Sequence, residues 1–422
     1  MAYCDTLIIK IASRCNINCT YCYMYNLGDT SWKMQPKFIS EETIKNSTER
    51  IREHCLKHDV KSFKFILHGG EPLLMSKQKF SEMLDVFDTL KEDGIKINYS
   101  LQTNGILIDE EWCDIFNKYN IGVGISIDGP EDINDSHRQD KKGRGTYKQV
   151  IDGIKESEKY MKRGLGILSV QNLELDPITA YYHTKGLPHV RTGDFLLLNM
   201  NYDTYEDENY NIEGAPAADW YIKMFDEWFY DKEVNTLQIR FFEVIMHRIL
   251  GGIYSIDNIG TGKNSVLILE TNGGFEAVDV LKICGESFTK DIHNINTHSF
   301  DDALQAKLTE VYYHSGEYLA KKCLACPVKD VCGGGYLPHR YSSKNGFNNS
   351  SVYCNDLLKL ITHIQNTIVE NLPKDVLEKS GIEFLTYENA QQIIQDNLPL
   401  IEEPHYAEKL ESFKAVEDAV EA

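Results

Sequence analysis

The chain has 422 residues, 42% of them hydrophobic, which is enough for two or three domains with their own cores. Its formal net charge of −20 argues against a nucleic-acid phosphate backbone as partner, because Lys and Arg dominate such binding. Eleven cysteines, no signal peptide and no apolar run long enough to span a bilayer point away from membranes, toward a reducing cytoplasmic setting where thiols serve metals rather than disulfides.

In chain order, the apolar run Leu7-Ile8-Ile9-Lys10-Ile11 reads as a strand and leads into Cys15-Asn16-Ile17-Asn18-Cys19-Thr20-Tyr21-Cys22. Three cysteines at spacings of three and two on so tight a loop point at one centre. They suit one face of a cubic iron–sulfur cluster, leaving its fourth iron open to chelation through an amino and a carboxylate group. A zinc knuckle or a set of structural thiols stays open as an alternative, although no nearby Cys or His supplies the fourth ligand zinc ordinarily takes.

Ser40, followed by Glu41 and Glu42, marks a helix start. Strand-like runs recur at Ser62–His68, Ile97–Gln102, Ile121–Ile127, Leu165–Val170 and Phe195–Leu198, separated by stretches of helix length. This alternation predicts an α/β fold, a partial (β/α)6 barrel of parallel strands whose chemistry sits at their carboxyl ends. Polar motifs fall at those ends: Gly69-Gly70-Glu71-Pro72, Gln102-Thr103-Asn104-Gly105 and Ser126-Ile127-Asp128-Gly129-Pro130, the last followed by Ser136-His137-Arg138. Two glycines let a backbone approach a ligand closely, though each motif also has an ordinary reading as a turn. From about Asn209 to Gly252 the pattern turns helical, with Trp220, Phe225, Trp228 and Phe229 spaced for buried faces. That stretch reads as the last barrel helix and a bridge.

A second cysteine set follows: Cys323, Cys326 and Cys332, then Cys354. Four thiols can close one complete cluster, and a four-cysteine set that includes a Cys-x2-Cys pair also suits zinc. Cys4, Cys55 and Cys113 read as buried apolar thiols, and Cys284 stays open between a spare thiol, a cluster neighbour and a group lining a substrate channel. The expected organisation is a barrel over 1–235, a helical bridge over 236–262, a cysteine-rich domain over 263–365 and a helical, acidic tail over 366–422.

The first loop, completed by Tyr21 before Cys22, resembles the signature of the radical S-adenosylmethionine (SAM) superfamily. The resemblance implies a [4Fe–4S] cluster on Cys15, Cys19 and Cys22 whose open iron binds SAM. It implies SAM contacts from Tyr21, from Gly69, Gly70 and Glu71 to the amino group, from Asn104 and Ser126, and from Arg138 to the carboxylate. The second set resembles the SPASM extension of peptide-modifying members, with Cys323, Cys326, Cys332 and Cys354 matching its outer auxiliary [4Fe–4S] cluster. Two inner-cluster positions depart from that pattern, occupied here by Val278 and Tyr336, so one auxiliary cluster is expected. The wording around this set resembles maturases that cross-link ribosomally made peptides, including the cyclophane-forming group, over roughly residues 5 to 365.

This resemblance implies a precursor peptide as substrate, an electron donor such as flavodoxin or ferredoxin, and leader recognition by the tail or by a separate leader-binding protein. Asp279 aligns with the position that serves as base in related maturases, and it also has a reading as a turn cap. His339 and Arg340 are weaker candidates for substrate contact. Other outcomes of the same radical are thioether formation, epimerisation and the sulfatase-type formation of formylglycine. From a different class, the chain reads as an iron–sulfur electron carrier or scaffold, which has no need of a SAM pocket.

Overall fold

The computed structural model describes residues 2–233 and 237–415. Contacts divide the chain into two compact units: Met1–Leu198 with Lys232–Ile239 and Ser265–Tyr313, and Asn199–Asp231 with Arg240–Asn264 and His314–Ala422. The expected boundary at residue 235 falls outside the described residues.

The first unit is built on six parallel strands, β1 (Thr6–Ala12), β2 (Ser62–Gly69), β3 (Lys96–Thr103), β4 (Gly122–Ser126), β5 (Leu165–Val170) and β6 (Val190–Leu196). Three short strands, β7 (Gln238–Ile239), β8 (Val266–Leu269) and β9 (Phe275–Glu276), extend the sheet to the order β9-β8-β1-β2-β3-β4-β5-β6-β7. Every pairing is parallel except the β8–β9 hairpin. Helices α1 (Glu41–His58), α2 (Lys77–Asp88), α3 (Glu110–Lys118), α4 (Tyr147–Tyr160) and α5 (Pro177–Lys185) connect the strands. Pairing of β8 with β1 places residues 265–313 with the barrel sheet rather than with the cysteine-rich segment.

Local chemistry explains these elements. The Ser40 hydroxyl accepts from the Thr43 amide at 3.0 Å and caps α1, while Asp59 closes it with φ +55°. On β2 the buried residues alternate: Phe63, Phe65 and Leu67 face one side, and Phe65 stacks on Phe87 of α2 at 4.3 Å. Each fully buried phenyl contributes about 1.5–3 kcal/mol. Lys10, Ile66, His68, Gln102 and Ser126 occupy the other side. There Gln102 donates to the Ser126 hydroxyl at 2.7 Å, and a Cβ at Gly124 would lie 2.4 Å from Gln102 Oε1, so glycine keeps room on that face. The sixth strand begins at Val190, ahead of the expected Phe195, because its opening residues Arg191 and Thr192 are exposed and carry no apolar run.

The second unit carries α6 (Pro216–Tyr230), α7 (Arg240–Ile249) and α8 (Cys354–Asn371). The aromatic stripe of α6 therefore lies in this unit, not in the barrel. Phe225 meets Phe242 of α7 edge-on at 5.4 Å, and Lys359 and His363 of α8 pair with Asp219 and Asp226, each at 2.6 Å. The acidic tail is tied down as far as it is described: Leu410 and Ser343 accept from the amides of Phe347 and Ala415 at 3.0 and 2.8 Å. Residues 416–422 of that tail lie outside the described residues. Among the described residues no helix is long and apolar enough to cross a membrane.

Lys282, 1% exposed, lies 2.6 Å from Glu276, 3.2 Å from Glu270 and 3.8 Å from Asp29, and so ties the loop after β1 to the β8–β9 hairpin. Removing one partner strands buried charge. Lys282→Met is expected to lose about 3–5 kcal/mol of unfolding free energy in a denaturant titration, whereas a change below about 1 kcal/mol, typical of exposed pairs, would contradict this reading.

Candidate active site and cysteine centres

The loop bearing Cys15, Cys19 and Cys22 leaves β1 and is braced from two sides. Ile17–Cys19 pairs antiparallel with Arg138–Asp140, setting Cys19 opposite Arg138. At the end of β2, Gly70 donates its amide to Ala12 O at 2.7 Å and Glu71 donates to Arg14 O at 2.9 Å. A Cβ on Gly69 would lie 2.1 Å from Ala12 O, and one on Gly70 would lie 2.0 Å from the Tyr25 hydroxyl and 2.4 Å from Arg14 O. The glycine pair is therefore required for chain-to-chain contact beneath the cysteine loop.

Glu71 is 1% exposed, and its carboxylate is used inside the protein. It accepts from Leu73 N at 2.9 Å, Asn104 N at 2.8 Å and the Thr103 hydroxyl at 2.7 Å. Burial raises its pKa. Asn104 reaches the loop directly, donating through Nδ2 to Asn16 Oδ1 at 2.7 Å and lying 3.9 Å from Cys15 Sγ. The Tyr21 hydroxyl bonds Asp128 and accepts from Arg138 Nη1 at 2.9 Å. Arg138 Nε is buried with no hydrogen-bond partner among the described residues. Ser126 is on the same face of the sheet, beside Gln102.

All three thiols are free, and burial pushes the Cys15 thiol up to about 12 and that of Cys22 up to about 11. Clustered thiols that resist ionisation alone are suited to a metal centre, whose positive charge deprotonates them. The orphaned Arg138 Nε suits an anionic group such as the carboxylate of an amino acid. The donor set thus fits an iron–sulfur cluster with SAM beside it.

Asp279 stands at the head of the turn Asp279–Cys284 and is 4% exposed. It pairs with Lys10, 1% exposed, and accepts from the Tyr23 hydroxyl at 3.0 Å. Lys10 Nζ also lies 2.8 Å from His68 Nδ1. An ammonium has no lone pair, so it donates to Nδ1 and leaves the His68 proton on Nε2. Burial would raise the Asp279 pKa, but Lys10 overrides it and holds the carboxyl well below the usual range. Burial and the same ammonium push the His68 imidazole down to about 3. Sequence reasoning missed Lys10, Tyr23 and His68 as members of this group. A lysine inside an apolar strand and a histidine directly before Gly69-Gly70 were the available signals.

In the second unit, Cys323, Cys326, Cys332 and Cys354 line one cavity together with Lys322 and Gly334. Burial pushes the thiols of Cys323 and Cys326 up to about 12 and about 11. Four thiols on one cavity suit a closed cluster. The expectation of substrate contact by His339 and Arg340 is corrected: they are 3% and 1% exposed, and the Arg340 guanidinium is taken up by carbonyl oxygens. Cys4, Cys55 and Cys113 are buried free thiols, and Cys284 is buried.

A further trio, His54, His58 and Asp301, brings possible ligand atoms together but does not suit a metal. His54 Nε2 accepts from the Cys4 amide at 3.0 Å, so Nδ1 carries the proton that it donates to Asp301 at 2.9 Å.

A parallel α/β partial barrel with a three-cysteine loop at the carboxyl ends of its strands defines the class as iron–sulfur enzymes that bind SAM. Residues 9–173 match the radical SAM superfamily, so the chain carries a radical SAM domain, whose cofactors are a [4Fe–4S] cluster and SAM. It is 26% identical over 357 residues to the cysteine-type anaerobic sulfatase-maturating enzyme of Clostridium perfringens (strain 13 / Type A), covering 83% of this chain and 93% of that one. It is 22% identical over 360 residues to the serine-type anaerobic sulfatase-maturating enzyme of Klebsiella pneumoniae, covering 80% and 83%. Among solved structures, anSMEcpe with bound AdoMet and the Cp18Cys peptide shares the fold at TM-score 0.74 and 22% identity, over 89% of this chain and 98% of that one. Streptococcus suis SuiB bound to its precursor peptide SuiA superposes at TM-score 0.55 and 16% identity, over 84% and 76%.

The Lys10–Asp279 pair has a defined pH signature. Because the folded Asp279 pKa is depressed, its stabilisation is present above the unfolded value of about 3.9 and is lost only as pH falls through the lower folded value. In Lys10→Met the carboxylate is buried without its counter-charge. A loss of about 3–5 kcal/mol is expected at pH 7, shrinking on acidification as Asp279 takes up a proton, and partly restored by Asp279→Asn in the same chain. Urea titrations at pH 7 and 5 check this; equal deficits at both pH values would contradict it.

Proposed function

We propose that the chain is a radical SAM peptide maturase that removes two hydrogens from side chains of a ribosomally made precursor and joins them through a carbon–carbon cross-link of the cyclophane type. The observation that carries the reading is the three-thiol loop with the unpartnered Arg138 Nε beside it, on the strand ends that also present the Asp279 group. The peptide substrate is supported by relatives named for maturing sulfatases and by similar folds bound to peptides. The departures at Val278 and Tyr336, together with the wording around the second cysteine set, favour cross-linking. The similarity to the sulfatase-maturating enzymes favours a second reading, oxidation of a Cys or Ser side chain to formylglycine.

In this reading Cys15, Cys19 and Cys22 hold the first cluster, and Cys323, Cys326, Cys332 and Cys354 hold a single auxiliary cluster. Gly69, Gly70, Glu71, Asn104, Ser126 and Arg138 shape the SAM pocket, with Tyr21 supporting Arg138. Glu71 and the glycines act there through the backbone they fix, since the Glu71 carboxylate is already occupied. Bound there, the two clusters and SAM supply a 5′-deoxyadenosyl radical for hydrogen abstraction and an acceptor for one electron. Asp279 takes the accompanying proton, and Lys10 keeps it ionised to do so. The electron entering the enzyme comes from a small donor such as flavodoxin or ferredoxin, in the reducing cytoplasm that a chain of eleven cysteines suits.

The test is anaerobic incubation of the reduced enzyme and SAM with the short peptide encoded beside its gene. Loss of two hydrogens, with fragments held together across the joined residues, is expected. An aldehyde captured by hydrazine would favour the second reading, and deuterium uptake without mass loss would overturn both. Asp279→Asn is expected to lower product yield about 100-fold or more while SAM cleavage persists; full yield would remove Asp279 as the base.

A further inference from the structure

Two buried lysines of the first unit have carboxylate partners. Lys10 pairs with Asp279, and Lys282 with Glu276 and Glu270. Arg340 and Lys322 at the four-cysteine cavity, which Lys329 also lines, do not. Arg340 is 1% exposed and donates to five carbonyl oxygens: Gly334 through Nε, Ser315 and Tyr318 through Nη1, and Gly333 and Gly335 through Nη2. Among the described residues no carboxylate lies within ion-pair distance of it. Lys322 is half-buried and likewise forms no ion pair among the described residues.

Both cations are placed by the walls of the cavity. Gly333, Gly334 and Gly335 follow Cys332 with φ of +62°, +77° and +69°, which turns three successive carbonyls onto the guanidinium. Gly334 lines the cavity, and a Cβ there would lie 2.7 Å from Arg340 Nη2, so Arg340 sits directly behind that wall. Lys322 lines the same cavity beside Cys323 and Cys354, and also a second cavity of about 430 Å³ that shares Cys354. Carbonyl oxygens satisfy the donors of a guanidinium but do not neutralise its charge, and an uncompensated buried charge is costly. No Asp or Glu is among the residues lining the four-cysteine cavity, and its four cysteines, as metal-bound thiolates, can supply the balancing charge.

We propose that Arg340 and Lys322 are positioning residues for the electron-accepting step, setting the auxiliary centre's reduction potential high enough to take an electron from the substrate. This rests on reading the quartet as a [4Fe–4S] site. Four thiolates on a 2+ core carry a net charge of −2, and one-electron reduction makes it −3. Two fixed cations stabilise the more negative state more strongly, so each raises the potential. The electron stays on the centre and no proton need accompany it, because the compensating charge is already built into the wall.

The experiment uses the full chain with Cys15, Cys19 and Cys22 all replaced by Ala, so that the auxiliary centre is the single redox group. Iron, sulfide and zinc are counted, and the midpoint potential is read by EPR-monitored titration. Lys322→Met, on a half-buried position, and Arg340→Gln are each expected to lower the potential. For Arg340→Gln the expected effect is a tenfold fall in the reduced-to-oxidised ratio at fixed potential, or 59 mV for one electron. Arg340→Lys, which keeps the charge but not the fork, is expected to hold the parent potential more closely. Should Arg340→Gln bind less iron, Lys322→Met alone decides. Four irons with an unmoved potential in Lys322→Met, and in Arg340→Gln where that variant is iron-replete, would overturn the inference and leave the cluster reading intact. A colourless, redox-silent protein holding zinc would overturn the cluster reading and the inference with it.

Discussion

The site depends on how closely the end of β2 approaches the chain leaving β1. Gly69 and Gly70 run against Ala12 and Arg14 with no room for a Cβ, and their amide bonds fix the direction in which the cysteine loop departs. Glu71 completes the brace by tying that turn to Thr103 and Asn104 at the end of β3, and Asn104 in turn touches the loop at Asn16. The loop that carries the three thiols is thus held by three strand ends stitched beneath it, which a flexible loop alone would not achieve. Parallel strands bring those ends to one side of the sheet, and this is why the motifs, distant in sequence, meet there.

Charge in the interior follows a consistent division. Where a cation supports structure or holds a proton acceptor ionised, it faces carboxylates, as Lys282 faces Glu276 and Lys10 faces Asp279. Beside the cysteine groups the cations lack such partners: Arg138 faces Tyr21 and leaves Nε unmet, and Arg340 faces carbonyls only. Unneutralised positive charge in a low-dielectric interior is favourable only next to anions, and metal-bound thiolates would supply them in both neighbourhoods, with Asp128 also acting on Arg138.

Much of this was legible in the sequence because it rests on local spacing. The cysteine trio, the helix start at Ser40 and five of the six strands announced themselves through apolar runs and caps. What escaped did so for physical reasons. The sixth strand begins with a single apolar residue, Val190, followed by the exposed Arg191 and Thr192, so periodicity places it late. The aromatic helix over Pro216–Tyr230 carries a buried face that any core accepts, and sequence gives no sign that it joins the unit of α8. The Lys10, Tyr23, His68 and Asp279 group draws on β1, the cysteine loop, β2 and a turn more than two hundred residues later, a juxtaposition that only the sheet order creates. Arg340 beside a glycine run looks like a surface residue in sequence, and its burial follows from three left-handed glycines turning their carbonyls inward.

The central claim is that the thiols of Cys15, Cys19 and Cys22 hold an iron–sulfur cluster with one iron left open to SAM. Release of 5′-deoxyadenosine from reduced protein and SAM tests it most directly, without knowledge of the peptide. The account predicts steady release from the intact chain and none after replacement of any one of the three cysteines by Ala. Absence of release from intact, iron-replete protein, or release undiminished without Cys19, would contradict it.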